Sequence, residues 1–154
     1  MTVFAILLVI FLLASIAFGA PLIPSHSKDI DNLIKWLKDN NLSGETFIDL
    51  GSGSGKVVKK FRKEGFIANG IEVNPLIYLI SRVSNKDIYF GNYLKFDFSK
   101  YSIIYLFSSS IYLKSIRAKI EGYRPKCVLS YGFKLSLDDY SEHMVSGYYC
   151  YLKN

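Results

Sequence analysis

Asp49-Leu50-Gly51-Ser52-Gly53-Ser54-Gly55 is the stretch on which the reading of this chain turns. A short apolar run, residues 45–50, leads into it. A segment with Val57, Val58 and Phe61 at helical spacing, and with Lys59, Lys60, Arg62 and Lys63 on its outward side, leads out. An apolar run, a glycine cluster and a helical pattern in that order predict a strand, a tight turn and a helix. Glycines in the turn let the backbone bend sharply and let a ligand approach with no Cβ in the way. The helix that follows starts with free N–H groups. That design suits a nucleotide-like ligand.

Three ligand classes compete for such a loop. A phosphate loop, G-x-x-x-x-G-K-[ST], needs glycine where Leu50 stands and Ser or Thr where Val57 stands. A dinucleotide fingerprint, G-x-G-x-x-G, started at Gly51 puts its third glycine at Lys56. Both patterns fail. A loop for S-adenosylmethionine has no pyrophosphate to cradle, and it begins with an acid, here Asp49, that can meet the ligand's ammonium.

Around the loop, strand and helix patterns alternate. Residues 29–40 carry Ile30, Leu33, Ile34 and Leu37 at helical spacing, with Ser27 as N-cap. Strands are expected at 45–50, 65–72, 86–90, 102–107, 126–133 and, last, 145–152, with helices at 57–63, 74–83 and 111–122. Asn74-Pro75 opens one of these helices, Asn as cap and Pro at the first position. Strands joined by helices imply crossovers, hence an α/β fold: a Rossmann-like, mainly parallel sheet with helices on both faces. Such sheets bind ligands outside the carboxyl ends of their strands, at the switch point.

A second acid supports the nucleoside reading. Glu72 ends the second expected strand, where a carboxylate can accept both ribose hydroxyls. Asn92, after the third strand, carries an amide suited to the edge of an adenine ring.

The ends and the charge of the chain bound its setting. Of 154 residues, the first 20 carry no charged side chain. As a helix, residues 3–20 would be about 27 Å long, close to the roughly 30 Å of hydrocarbon in a bilayer. The alternative, a cleaved signal peptide, lacks a basic n-region, and Pro21 crowds the small-residue site at Ala17-Phe18-Gly19-Ala20. The chain therefore divides into a transmembrane anchor (1–20), a linker and first helix (21–44) and a catalytic domain (45–154). Net charge is +6, and Lys28, Lys35 and Lys38 follow the anchor closely, which favours a domain facing the cytoplasm. A basic domain also gains attraction from an anionic leaflet. Neither Cys127 and Cys150 nor His26 and His143 have metal-ligand spacing, so no metal site is expected.

Asp49-Leu-Gly-Ser-Gly-Ser-Gly55 followed by Gly70-Ile-Glu-Val-Asn-Pro75 resembles the class I S-adenosylmethionine-dependent methyltransferases. The order of apolar segment, Pro21-Leu-Ile-Pro-Ser25 linker, short helix and these two motifs is similar to the small membrane-associated protein-lysine methyltransferases, a family that includes enzymes acting on the ATP synthase c-subunit. The resemblance covers roughly residues 3–107. It implies cofactor contacts at Asp49, Gly51, Ser52, Gly53, Gly55, Glu72, Asn74 and Asn92. It also implies a protein lysine as methyl acceptor, and no metal. Two positions depart from the pattern. Ser54 stands where that family has Asp, and Ser108-Ser109-Ser110 replace a proline-containing segment. These serines and Tyr112 are expected on the acceptor side. The Asn/Asp-Pro-Pro-aromatic motif of base-methylating enzymes is missing there, which argues against nucleic acid as substrate. The rival readings are an inactive scaffold with this fold, and a methyltransferase for small molecules or lipids.

Overall fold

The computed structural model describes residues 27–107 and 110–154. The expected anchor, the linker with Pro21 and Ser25, His26, and Ser108 and Ser109 lie outside the described residues. Among the described residues no helix is long and apolar enough to cross a membrane.

The elements run α1 (Ser27–Asp39), β1 (Thr46–Leu50), α2 (Lys56–Lys63), β2 (Ile67–Glu72), α3 (Pro75–Ser84), β3 (Ile88–Phe90), β4 (Ile103–Leu106), α4 (Ser110–Tyr123), β5 (Cys127–Tyr131), β6 (Tyr140–Val145) and β7 (Tyr148–Lys153). One sheet takes all seven strands in the order β3-β2-β1-β4-β5-β7-β6. The first five are parallel; β7 pairs antiparallel with both β5 and β6. The chain builds outward from β1 to β3, then returns to the other side of β1 with β4. The switch point is therefore between β1 and β4.

Side chains alternate across each strand, and this sorts the core into two layers. Phe47, Ala68, Ile103, Tyr105, Cys127 and Leu129 pack on the face covered by α1 (Ile30, Leu33, Ile34, Leu37) and α2 (Val58, Phe61). Ile48, Leu50, Ile71, Ile104, Leu106 and Val128 pack on the other, against Ile116 and Ile120 of α4. Helices thus cover both faces. The rings of Phe47 and Phe61 stack at 3.9 Å between centroids and pin α2 to β1. Both cysteines are buried and unbridged, and burial pushes both thiols up, Cys150 to about 12.

One expected strand is corrected. Residues 145–152 do not form a single strand: Val145 ends β6 and Tyr148 begins β7. Between them Ser146 and Gly147 sit at φ 48° and 84°. Two successive residues at positive φ make the tight turn whose twist matches a hairpin. The long apolar run Tyr148–Leu152 conceals the break, although Ser-Gly is itself a turn signal. The hairpin leans on α1, where Asn32 Nδ2 donates to Ser146 Oγ at 2.9 Å and Trp36 meets His143.

Candidate functional site

The parity of the strands places the two acids. Asp49 pairs with Gly70 of β2 and with Tyr105 of β4, so it is one residue short of the carboxyl end of β1, beside the switch point. It shares the parity of Phe47. Gly70 and Glu72 share that of Ala68. All three therefore lie on the α2 face, under the loop that joins β1 to α2.

The loop is held by backbone bonds to β2. Gly51 N and Ser52 N both donate to Ile71 O, at 2.9 and 3.0 Å, and Gly55 N donates back to Ser52 O. Gly51, Gly53 and Gly55 sit at φ 91°, 53° and 74°, where L side chains are strained. Above Gly51 and Gly53 no atom would lie within 4 Å of an added Cβ, so the loop presents bare backbone to open space. Below, the fit is tight. A Cβ on Gly70 would sit 2.5 Å from Ser52 Cβ and 2.6 Å from its Oγ. Gly70→Ala should therefore lift the loop and lower stability by about 2–3 kcal/mol in urea unfolding; an unchanged midpoint would show that the loop is not seated on β2 in this way.

Glu72 locks this arrangement. Its Oε2 accepts from Gly53 N at 2.9 Å and its Oε1 from Asn74 N at 2.8 Å. One buried carboxylate thus ties the apex of the loop to the start of α3. Asp49 is also buried, and no described residue is seen hydrogen-bonded to its carboxyl group. Burial first, and the Glu72 charge second, push that carboxyl up to about 8. It is a proton-holding group that a cation would ionise.

Solved structures superpose on this fold. An RNA methyltransferase from Salinibacter ruber, in complex with S-adenosyl-L-homocysteine, superposes with a TM-score of 0.68 at 21% identity, over 85% of this chain and 92% of that one. The chain has the class I methyltransferase fold. A precorrin-6y C5,15-methyltransferase from Geobacter metallireducens superposes at a TM-score of 0.65, with 14% identity over 88% and 93% of the two chains. In sequence, this methyltransferase-fold chain is similar to the ATP synthase C-subunit lysine N-methyltransferases of Homo sapiens (30% identical over 109 residues) and Mus musculus (28%). Those alignments cover 66% of this chain and 46% and 43% of the relatives, so it spans just under half their length. No protein-family model matches the chain.

Within the methyltransferase fold, the other residues singled out from the sequence take varied places. Ser52 Oγ is buried and has no hydrogen-bond partner among the described residues; it packs down onto Gly70 and away from solvent. Asn74 caps α3: its Oδ1 accepts from Leu76 N and Ile77 N at 3.0 and 3.3 Å. Its contribution at the crevice is therefore the backbone N–H given to Glu72. Asn92 is exposed after β3, and its Oδ1 accepts from Leu94 N at 2.9 Å in a local turn. Tyr112, half-buried in the first turn of α4, meets Tyr93 edge-on. That contact brings the start of α4 to the segment that follows β3. Ser110 begins α4.

Asn85 is a supporting residue with no signal in the sequence. It is buried, donates from Nδ2 to Gly55 O at 3.3 Å and accepts from Asp87 N at 3.0 Å. It links the end of the glycine loop to the entry of β3, 30 residues on. Among the described residues no group of His, Cys, Asp and Glu could hold a metal ion.

Proposed function

We propose that this chain is an S-adenosylmethionine-dependent methyltransferase that methylates a lysine amine of a protein at a membrane. The observation that carries the reading is the pair Asp49 and Glu72. They are two buried acids on one sheet face, at the carboxyl ends of adjacent strands, with a bare glycine backbone between them. The residues fit the cofactor. Asp49, already near its point of ionisation, would take the ammonium of the methionine part, and Gly51 and Gly53 would give it backbone room, while Gly55 makes room for the Ile88 side chain that packs beneath the loop's end. Glu72 would take ribose hydroxyls on the lone pairs left beside its two N–H bonds. Asn92 would offer its amide to the adenine edge. The cofactor supplies an activated methyl on sulfur.

The protein's task is then placement. An in-line transfer needs the acceptor nitrogen about 3–3.5 Å from the methyl carbon. The amine must arrive neutral, and lysine's reference pKa of about 10.4 means that burial or neighbouring charge has to strip its proton. The switch point leaves the acceptor to the β4 side, from which α4 with Tyr112 follows; Ser108, Ser109 and Ser110 come directly after β4 in the sequence. No general base is assigned.

The relatives' names support a lysine acceptor. The uncharged residues 3–20 support action at a membrane, with the basic domain on the cytoplasmic side. An anchor there would raise the local concentration of membrane-protein substrates.

Incubation with methyl-labelled S-adenosylmethionine and membrane extract tests the reading. Acid-stable label in protein lysine is the expected result. Label in the organic phase would make the acceptor a lipid. Cofactor binding without any transfer would make the chain a scaffold.

A further inference from the structure

α3 is turned the wrong way round for a helix that covers a sheet. A surface helix normally buries its apolar stripe. Here Ser81 is the one fully buried residue of α3, while Leu76, Leu79, Ile80 and Val83 are 51%, 63%, 59% and 91% exposed. Their spacing, i, i+3, i+4, i+7, makes one continuous outward stripe about two turns long. Beyond it, Phe90 of the edge strand β3 is also exposed, beside the Tyr78 ring and in register with Glu72. Exposed apolar patches of this kind mark contact surfaces.

The stripe ends on a basic groove. Val83 is followed by Ser84, Asn85, Lys86 and Asp87, which line an open groove with Lys59, Arg62 and Lys63 of α2. Four cations there face one carboxylate, and Arg62 Nε already pairs with Asp87 at 3.0 Å. Among the described residues Lys59, Lys63 and Lys86 have no carboxylate partner. An apolar helix face rimmed by cations is the pattern of a segment that lies in the headgroup region of an anionic bilayer. A protein partner would have to set its own carboxylates around an apolar floor to meet both features, whereas an anionic bilayer offers apolar interior and phosphates side by side.

We propose that the outer face of α3 is a second membrane contact: Leu76, Leu79, Ile80 and Val83 enter the interface of an anionic phospholipid bilayer, while Lys59, Lys63 and Lys86 meet lipid phosphates. This deepens the membrane reading above and rests on it. Contact along α3 fixes orientation as well as proximity. Leu76 lies two residues after Asn74 and Phe90 ends the strand beside Glu72, so the cofactor crevice would open next to the lipid surface. A single N-terminal tether would leave that angle undefined.

The test places a polarity-sensitive fluorophore on cysteine at Leu79→Cys or Val83→Cys in the full chain, with Met144→Cys on β6, at the opposite sheet edge, as control. Cys127 and Cys150 are buried and will not compete for the label. In vesicles of phosphatidylcholine with phosphatidylglycerol, emission at 79 and 83 should shift to the blue and be quenched by doxyl-labelled lipid. In phosphatidylcholine alone, and at 144 in both, it should stay that of water. Lys59→Glu/Lys63→Glu/Lys86→Glu should abolish the shift while the chain remains on the vesicles. A vesicle-bound chain whose probes stay wet overturns the α3 contact and leaves the anchor standing. Probes that turn dry but escape lipid quenching mean that protein covers α3, which also overturns it. A chain that floats with anionic vesicles only, probes buried, supports the α3 contact and removes the anchor.

Discussion

Glu72→Gln is expected to weaken S-adenosylmethionine binding by roughly 100-fold or more, although it changes one atom. Both carboxylate oxygens face N–H donors, from Gly53 and from Asn74. A glutamine amide satisfies one of them and turns its own NH2 against the other. Hydrogen bonds to a charged group are worth about 1.5–3 kcal/mol each, and a buried donor left unpaired costs a similar amount. The loop apex loses its tie to β2 while the ribose loses its acceptor. Calorimetry should show the drop, and amide exchange should show Gly53 losing protection in the protein without cofactor. An affinity within a few-fold of the parent would remove Glu72 from the site.

Asp49→Asn is expected to divide stability from binding. With its folded pKa pushed from 3.8 to about 8, Asp49 holds its proton in the folded chain while the unfolded chain has released it. The folded state then binds more protons, so stability falls as pH rises from about 4 to about 8 and is level above. Asparagine removes this penalty. The variant should be more stable than the parent at pH 8, and the gap should close toward pH 4. Cofactor binding should move the other way. A cationic ligand favours the ionised carboxyl, so parent affinity should climb as acidic solutions approach neutrality, with proton release, and the variant should bind weakly with little slope. Equal slopes for the two proteins would show that Asp49 does not meet the ligand's charge.

Both predictions depend on features of unequal visibility. The glycine loop and its two acids could be read directly, because turn chemistry and strand-end placement are matters of local spacing. The α/β alternation was legible for the same reason, and the structure bears out a mainly parallel sheet with helices on both faces. The hairpin at Ser146-Gly147 was hidden by the aromatic run that follows it. Asn85 gave no sign, because an asparagine in a loop becomes a support only when Gly55 and Ile88 are brought beside it. The outward stripe of α3 was equally silent: a helical apolar pattern says that one face is apolar, and not that Ser81 has taken the inward side.

Sequence alone therefore settles the order of the elements as far as β5 and the chemical type of the loop, since periodicity, glycine placement and the spacing from Asp49 to Glu72 operate within a few turns of chain. The tertiary structure decides what those acids are. Strand register puts Asp49 opposite Gly70 and two residues short of Glu72 on one face, burial lifts the Asp49 carboxyl, and donors from two different segments claim both oxygens of Glu72. Burial and pairing arise between residues distant in sequence, which is why only the folded chain reveals them.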